Sequence, residues 1–203
     1  MIKKPKLSKL LENASINDEK TFENKMFNDQ TLDKDLSDIT FNSCYFKNID
    51  FSNSKLENID IIDSIFEDCN LTGLSLSANT FMRNEFTSCK LMAITIDNSS
   101  FSDISFNECY LDYSTISDLK INNTNFIESS MKEIRFFSID LKNVYLKNCN
   151  LDGCEIINTK LKDIDLSSCN IKNIRISIED IYGCIIDYDQ MIDIVSLLGV
   201  RLK

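Results

Sequence analysis

From Leu36 to Ile186 every fifth residue is Leu, Ile, Phe or Met, 31 positions in succession with no break in register. A period of five matches neither an α-helix at 3.6 nor a strand at 2.0. It matches a backbone that turns a corner every five residues, with two side chains of each five pointing inward and three outward. Stacking such coils satisfies their backbone groups through ladders of the parallel-sheet kind. A second inward position lies two residues before the first. From Ile39 to Cys184 it holds eight Cys, five Ser, two Thr, two Asn, one Glu and twelve Ile, Leu or Val. All eight cysteines of the chain fall there.

Two columns fix the number of sides. Phe46, Phe66, Phe86, Phe106 and Phe126 recur every 20 residues, and so do Cys69, Cys89, Cys109, Cys149 and Cys169, with Ser129 in the gap. Four sides and 20 residues per coil follow. At about 4.8 Å between stacked strands, the coils from residue 36 to 186 build a rod of roughly 36 Å. These columns are assigned to the structural core. Asn79 and Asn84 face inward on adjacent sides of one coil and are expected to hydrogen-bond to corner backbone groups.

An open solenoid exposes ladder edges and core, so both ends need caps. Residues 1–20 are read as an N-terminal cap. In it Leu7, Leu10, Leu11 and Ala14 are spaced as on a short amphipathic helix, with Pro5 in its first turn. Phe22, Phe27 and Leu32 read as a first coil in a shifted frame, since the step from Leu32 to Leu36 is four; residues 21–186 are the solenoid. Glu179 breaks the inward column near the far end. Residues 187–203 read as a C-terminal helix with an acidic first turn and Gly199 as its C-cap. Its apolar residues exceed what one capping face needs. Met191, Ile192, Ile194, Val195, Leu197, Leu198 and Val200 are therefore assigned to a dimer interface across a two-fold axis.

The chain carries a net charge of −10, with no His. Such acidity disfavours direct nucleic-acid binding, which needs a basic footprint, and suits a basic partner. Without His the commonest general base and metal ligand is missing. The cysteines recur in parallel along a column rather than converging on a point, so they read as small buried thiols and not as metal ligands. No cofactor is expected. No apolar run is long enough to span a bilayer, and no apolar signal core follows the basic start, so the expected location is the cytoplasm.

The acidic residues are unevenly placed. Residues 36–130 hold 14 acidic and 5 basic side chains, whereas residues 131–186 hold 8 of each. Asp68, Glu108 and Glu128 share one outward column and Asp63 and Asp103 another, and together they form the candidate acidic binding face. A catalytic carboxylate pair needs a cleft, which a smooth rod without inserted loops does not supply, so no enzyme activity is expected.

Blocks such as Ser64-Ile65-Phe66-Glu67-Asp68, Cys69-Asn70-Leu71-Thr72-Gly73 and Cys169-Asn170-Ile171-Lys172-Asn173 resemble the pentapeptide-repeat family over about residues 20–186. That resemblance implies a right-handed quadrilateral β-helix; with the repeat count and the end segments above, the expected fold is an all-β solenoid of about eight coils with short helices at both ends. The ending Leu198-Gly199-Val200 is similar to that of the Qnr and MfpA branch, in its loop-free members. It implies dimerisation through the C-terminal end, mimicry of duplex DNA, and binding to DNA gyrase or topoisomerase IV with protection from fluoroquinolones or peptide toxins. The alternative is a pentapeptide-repeat scaffold with another protein partner.

Overall fold

A computed structural model describes residues 2–17 and 19–199. They form a β-solenoid of about eight coils, each of about 20 residues. Strands pair in parallel with the strand 20 residues on: Phe46 lies against Phe66, Ile96 against Ile116 and Phe101 against Ile121. The corners are made by single residues in the left-handed region, among them Asp63 (φ 50°), Asp68 (φ 55°), Asn98 (φ 44°) and Asp118 (φ 50°). That region is hard for most side chains and easier for Asn, Asp and Gly, which accounts for the Asn- and Asp-rich outer positions of the repeat.

The first coil is one residue short. Phe22 pairs with Phe41 and Phe27 with Phe46, against the 20-residue offset from Leu36 and Leu56 onward. The four-residue step from Leu32 to Leu36 is where that residue is lost.

Parallel registry places identical side chains above one another, so the phenylalanine column is a stack of rings. Centroids along Phe27, Phe46, Phe66, Phe86, Phe106 and Phe126 are 4.4–5.0 Å apart, with planes within 14° of parallel. Offset stacking at this spacing adds to the apolar area buried. The second inward column works differently. Asn84 Nδ2 donates to Ile61 O (2.8 Å) and Ser114 Oγ to Leu91 O (2.8 Å), while the Cys89 thiol points at Phe66 O (3.5 Å). Asn79 Oδ1 accepts the N–H of Ile59 at 2.6 Å, and Asn84 Oδ1 that of Ser64 at 3.0 Å. Ser, Asn, Thr and Cys are all accommodated at this position because each can donate to a corner carbonyl, either of the preceding coil or, as Thr124 to Asn122 O and Thr159 to Ile157 O, two residues back in its own coil. Burial pushes the Cys44 thiol up to about 11 and Cys154 to about 12, so both stay protonated and inert.

Beyond Phe126 the ring stack ends and Leu146 and Leu166 take its place. The smaller side chains leave an apolar cavity of about 40 Å³, lined by Phe126, Phe136, Leu141, Val144, Leu146 and Leu166 among others. The inward-facing Phe136, Leu141, Val144 and Leu146 are only half-buried, in contrast to their counterparts above.

The C-terminal cap is helical as expected, in short pieces. A single turn, Ile178–Ile181, starts where Glu179 leaves the inward column, with Ser177 Oγ accepting the N–H of Asp180 at 3.0 Å. A 3-10 turn Tyr188–Gln190, the helix Met191–Val195 and a second 3-10 turn Ser196–Leu198 follow, ended by Gly199 at φ 69°. Gln190 Nε2 donates to Leu166 O (2.8 Å) and Cys169 O (2.6 Å), satisfying carbonyls that no further coil would reach.

The N-terminal helix is absent. Among the described residues of 2–17 there is no helical turn: the chain is extended, with a short strand Glu12–Asn13 parallel to Lys25–Thr31. Leu10, read as part of an apolar helix face, is 83% exposed. A helix this short is marginal in water. Acceptors on the distant solenoid take the arm's N–H groups instead.

Candidate functional site

The side of the rod that carries the phenylalanine stack is bordered by two edges, each a line of corner residues one coil apart. One runs through Asn48, Asp68, Ser88, Glu108 and Glu128, and the other through Ser43, Asp63, Arg83, Asp103 and Asn123. The five acids of the candidate binding face are thus divided between two edges, and the two edges have different fates.

On the first edge Asp68, Glu108 and Glu128 are all exposed. Glu108 and Glu128 are one coil apart, about 4.8 Å along the axis, and Asp68 lies two coils from Glu108. Asp68 borders a recess of about 390 Å³ shared with Asn48, Asp50, Asn70, Ser88 and Lys90. The Ser52 hydroxyl and N–H donate to Asp50 at 2.7 and 2.9 Å and hold its carboxyl below the usual range. On the adjoining side Tyr45 and Lys47 both donate to Glu67, Lys47 at 2.7 Å. Unlike charges one coil apart pair along the rod, whereas the acids of this edge are presented outward.

On the second edge Asp63 and Asp103 are only 7% and 5% exposed, and so do not belong to an open acidic surface. Residues 3–8 lie along it as an extended arm. The N–H of Lys3 donates to Asp103 Oδ1 at 3.0 Å, that of Lys6 to Asp63 Oδ1 at 3.1 Å and that of Ser8 to Ser43 Oγ at 2.9 Å, while Ser43 Oγ donates to Lys6 O at 3.1 Å. Arg83 grips Asp63 from the next coil through Nε and Nη2, each at 2.6 Å. Burial opposes the Asp63 charge. The Arg83 hydrogen bonds, the Lys6 N–H and the charges of Arg83 and Lys6 outweigh that burial and hold the carboxyl below its ordinary value.

Sequence reasoning missed this arm. Its leucine spacing imitates a helix, and its partners are 35–100 residues away. The one local signal is the basic composition of Lys3, Lys4, Lys6 and Lys9 in an acidic chain.

The residues assigned to a dimer interface divide in the same way. Ile194 and Leu197 pack on the core and close the last coil, and Val195 is half-buried. Met191 and Ile192 are 47% and 67% exposed, and Ile178, Tyr182, Ile185 and Tyr188, which precede them in the chain, are exposed as well. Leu198 belongs to the final 3-10 turn, and Val200 lies outside the described residues.

Residues 39–116 match a family model described as a pentapeptide repeat region, and residues 134–173 one described as pentapeptide repeats in eight copies. No curated protein matches the chain. Among solved structures, a trypsin-treated form of QnrB1, described as a plasmid-mediated fluoroquinolone resistance protein, is 19% identical. That match covers 96% of this chain and 97% of that one with a TM-score of 0.37. HetL from the cyanobacterium Nostoc sp. strain PCC 7120, described as involved in heterocyst differentiation regulation, is 11% identical over 82% of this chain and 85% of that one, with a TM-score of 0.35.

Proposed function

The chain belongs to the pentapeptide-repeat family, and from that premise we propose that it is a non-enzymatic, DNA-mimicking rod that binds a type II topoisomerase, DNA gyrase or topoisomerase IV. The observation that carries the reading is the exposed acidic edge of Asp68, Glu108 and Glu128, in a stretch of 14 acidic against 5 basic residues. A stiff rod with carboxylates at fixed steps offers a basic groove a charged line of the kind a phosphate backbone presents. The buried free cysteines suit a reducing compartment, and we place the protein in the cytoplasm.

Titrating the purified protein into gyrase supercoiling reactions with and without a fluoroquinolone tests the proposal. Inhibition, or protection from the drug, at micromolar protein supports it. Neither effect at that concentration refutes it. One observation favours a second reading. The coils of residues 131–186 carry equal numbers of acidic and basic side chains. In a tail-to-tail dimer those coils would sit at the centre, where a topoisomerase's basic saddle would meet them. A different basic protein that engages one arm alone fits this distribution, and it would show as no effect on either topoisomerase.

The same reading includes a homodimer through the C-terminal end, supported by the exposed Tyr182, Ile185, Tyr188 and Ile192. Light scattering is expected to give twice the chain mass, reduced to the monomer by Ile192→Asp. A monomer at high concentration would remove the dimer.

A further inference from the structure

The edge through Ser43, Asp63, Asp103 and Asn123 already holds a polypeptide. Lys3 and Lys6, three residues apart, bond to Asp103 and Asp63, two coils apart. An extended chain advances about 3.3 Å per residue and the solenoid about 4.8 Å per coil, so three residues and two coils both span roughly 10 Å. This match belongs to any extended chain on any stacked coil. What is particular to this edge is the row of side-chain acceptors, Ser43 Oγ, Asp63 Oδ1 and Asp103 Oδ1, placed where backbone N–H groups fall. Lys4 and Pro5 occupy the level between. There the edge supplies Arg83, a donor rather than an acceptor, and Pro5 has no N–H to leave unpaired. Pro5 also confines Lys4 to extended conformations, so part of the ordering is already made.

The acceptors continue past the arm. One coil beyond Asp103, Asn122 and Asn125 flank the corner residue Asn123, and each keeps a buried amide oxygen with no donor among the described residues. Buried acceptors of this kind normally have a partner. A cleft of about 450 Å³ opens beside Asn125, lined also by Lys3, Lys4, Pro5, Glu85 and Asn107 among others.

We propose that this edge is a docking groove for an extended, lysine-bearing polypeptide segment of a partner protein, and that residues 3–8 occupy it in cis until displaced. Backbone N–H groups spaced three and then two residues apart give the register, and lysines beside Asp63 and Asp103 give the charge preference. This main-chain recognition resembles strand addition to a sheet edge, with carboxylates in place of carbonyls. The tethered arm competes at an effective concentration in the millimolar range, so a partner must bind well or be tethered itself. The groove does not depend on which macromolecule meets the exposed edge of Asp68, Glu108 and Glu128.

A synthetic, fluorescein-labelled peptide of residues 2–9 serves as the probe, with anisotropy at low salt as the readout. In the full chain, charge reversal at Lys3, Lys4 and Lys6 to Glu frees the groove by changing exposed side chains only. The peptide is expected to bind that variant at least tenfold more tightly than the unaltered chain, and adding Asp103→Ala is expected to abolish the gain. Hydrogen exchange gives a second reading: the amides of Lys3, Lys6 and Ser8 are expected to be protected in the unaltered chain and to lose protection in the charge-reversed one and in Asp103→Ala alone. Equal peptide affinity for both chains, binding to neither, or unprotected arm amides in the unaltered chain would each overturn the proposal.

Discussion

The two ends of the rod have the same repeat and different interiors. Through Phe126 the core is a stack of rings with a cavity of only about 10 Å³ beside Phe46 and Phe66, the outer surface is acidic, and an arm of the chain lies along one edge. Beyond Phe126 leucine replaces phenylalanine, a cavity of about 40 Å³ opens, and the acidic and basic side chains balance. The pairs there are local and lie along the rod: Arg135 with Glu155 at 3.3 Å, and Lys160 with Asp180 at 3.1 Å. A five-residue repeat therefore sets the backbone without setting either the density of the core or the charge of the surface. The identity of the central apolar residue decides the first and the outer positions decide the second.

The largest expected effect is in the stacked half. Phe86→Ala removes a ring packed on both faces and should destabilise the chain by about 3–5 kcal/mol, read as a lower denaturant midpoint. A loss no greater than that of an exposed substitution would show that the stack is dispensable. Smaller and of opposite sign is Leu146→Phe, which extends the stack into the cavity. At about 24 cal/mol per Å³, filling 40 Å³ gains about 1 kcal/mol. A destabilised Leu146→Phe would mean that the C-terminal coils are set too close for a sixth stacked spacing, and the contrast between the halves would then be one of backbone rather than of side-chain size.

The smallest effect is electrostatic. Asp63 has a folded value below its ordinary 3.8. The stability it contributes is therefore fully present above about pH 3.8 and is lost as pH falls through the lower folded value. Melting temperatures of the unaltered chain and of Asp63→Asn should differ above pH 4 and converge in stronger acid. A constant difference across that range would contradict the ion pair with Arg83.

The coil was legible in the sequence because its determinants repeat. The Phe46–Phe126 and Cys69–Cys169 columns gave 20 residues per coil, and the step from Leu32 to Leu36 marked the short first coil. Glu179 and Gly199 signalled the end of the column and the end of the last helical turn. The arm was not legible, because nothing about it repeats. Leu7, Leu10, Leu11 and Ala14 have helical spacing, but Ser43, Asp63 and Asp103 supply acceptors that a local pattern cannot reveal. For the same reason the five acids looked like one face in the sequence, and the structure covers two of them.

The claim that function resides in the acidic half is tested most directly by moving the neutralisation from one half to the other. Asp68→Asn, Glu108→Gln and Glu128→Gln in one full-length variant are to be compared with Glu133→Gln, Asp140→Asn and Asp163→Asn in another, all at exposed positions. The readout is the protein concentration that half-maximally alters gyrase supercoiling. The first variant should need roughly tenfold more protein, since three fewer charges meet the basic surface at a Debye length of about 8 Å, and the second should match the unaltered chain. Equal losses in both, or a larger loss in the second, would contradict the assignment of binding to the edge of Asp68, Glu108 and Glu128.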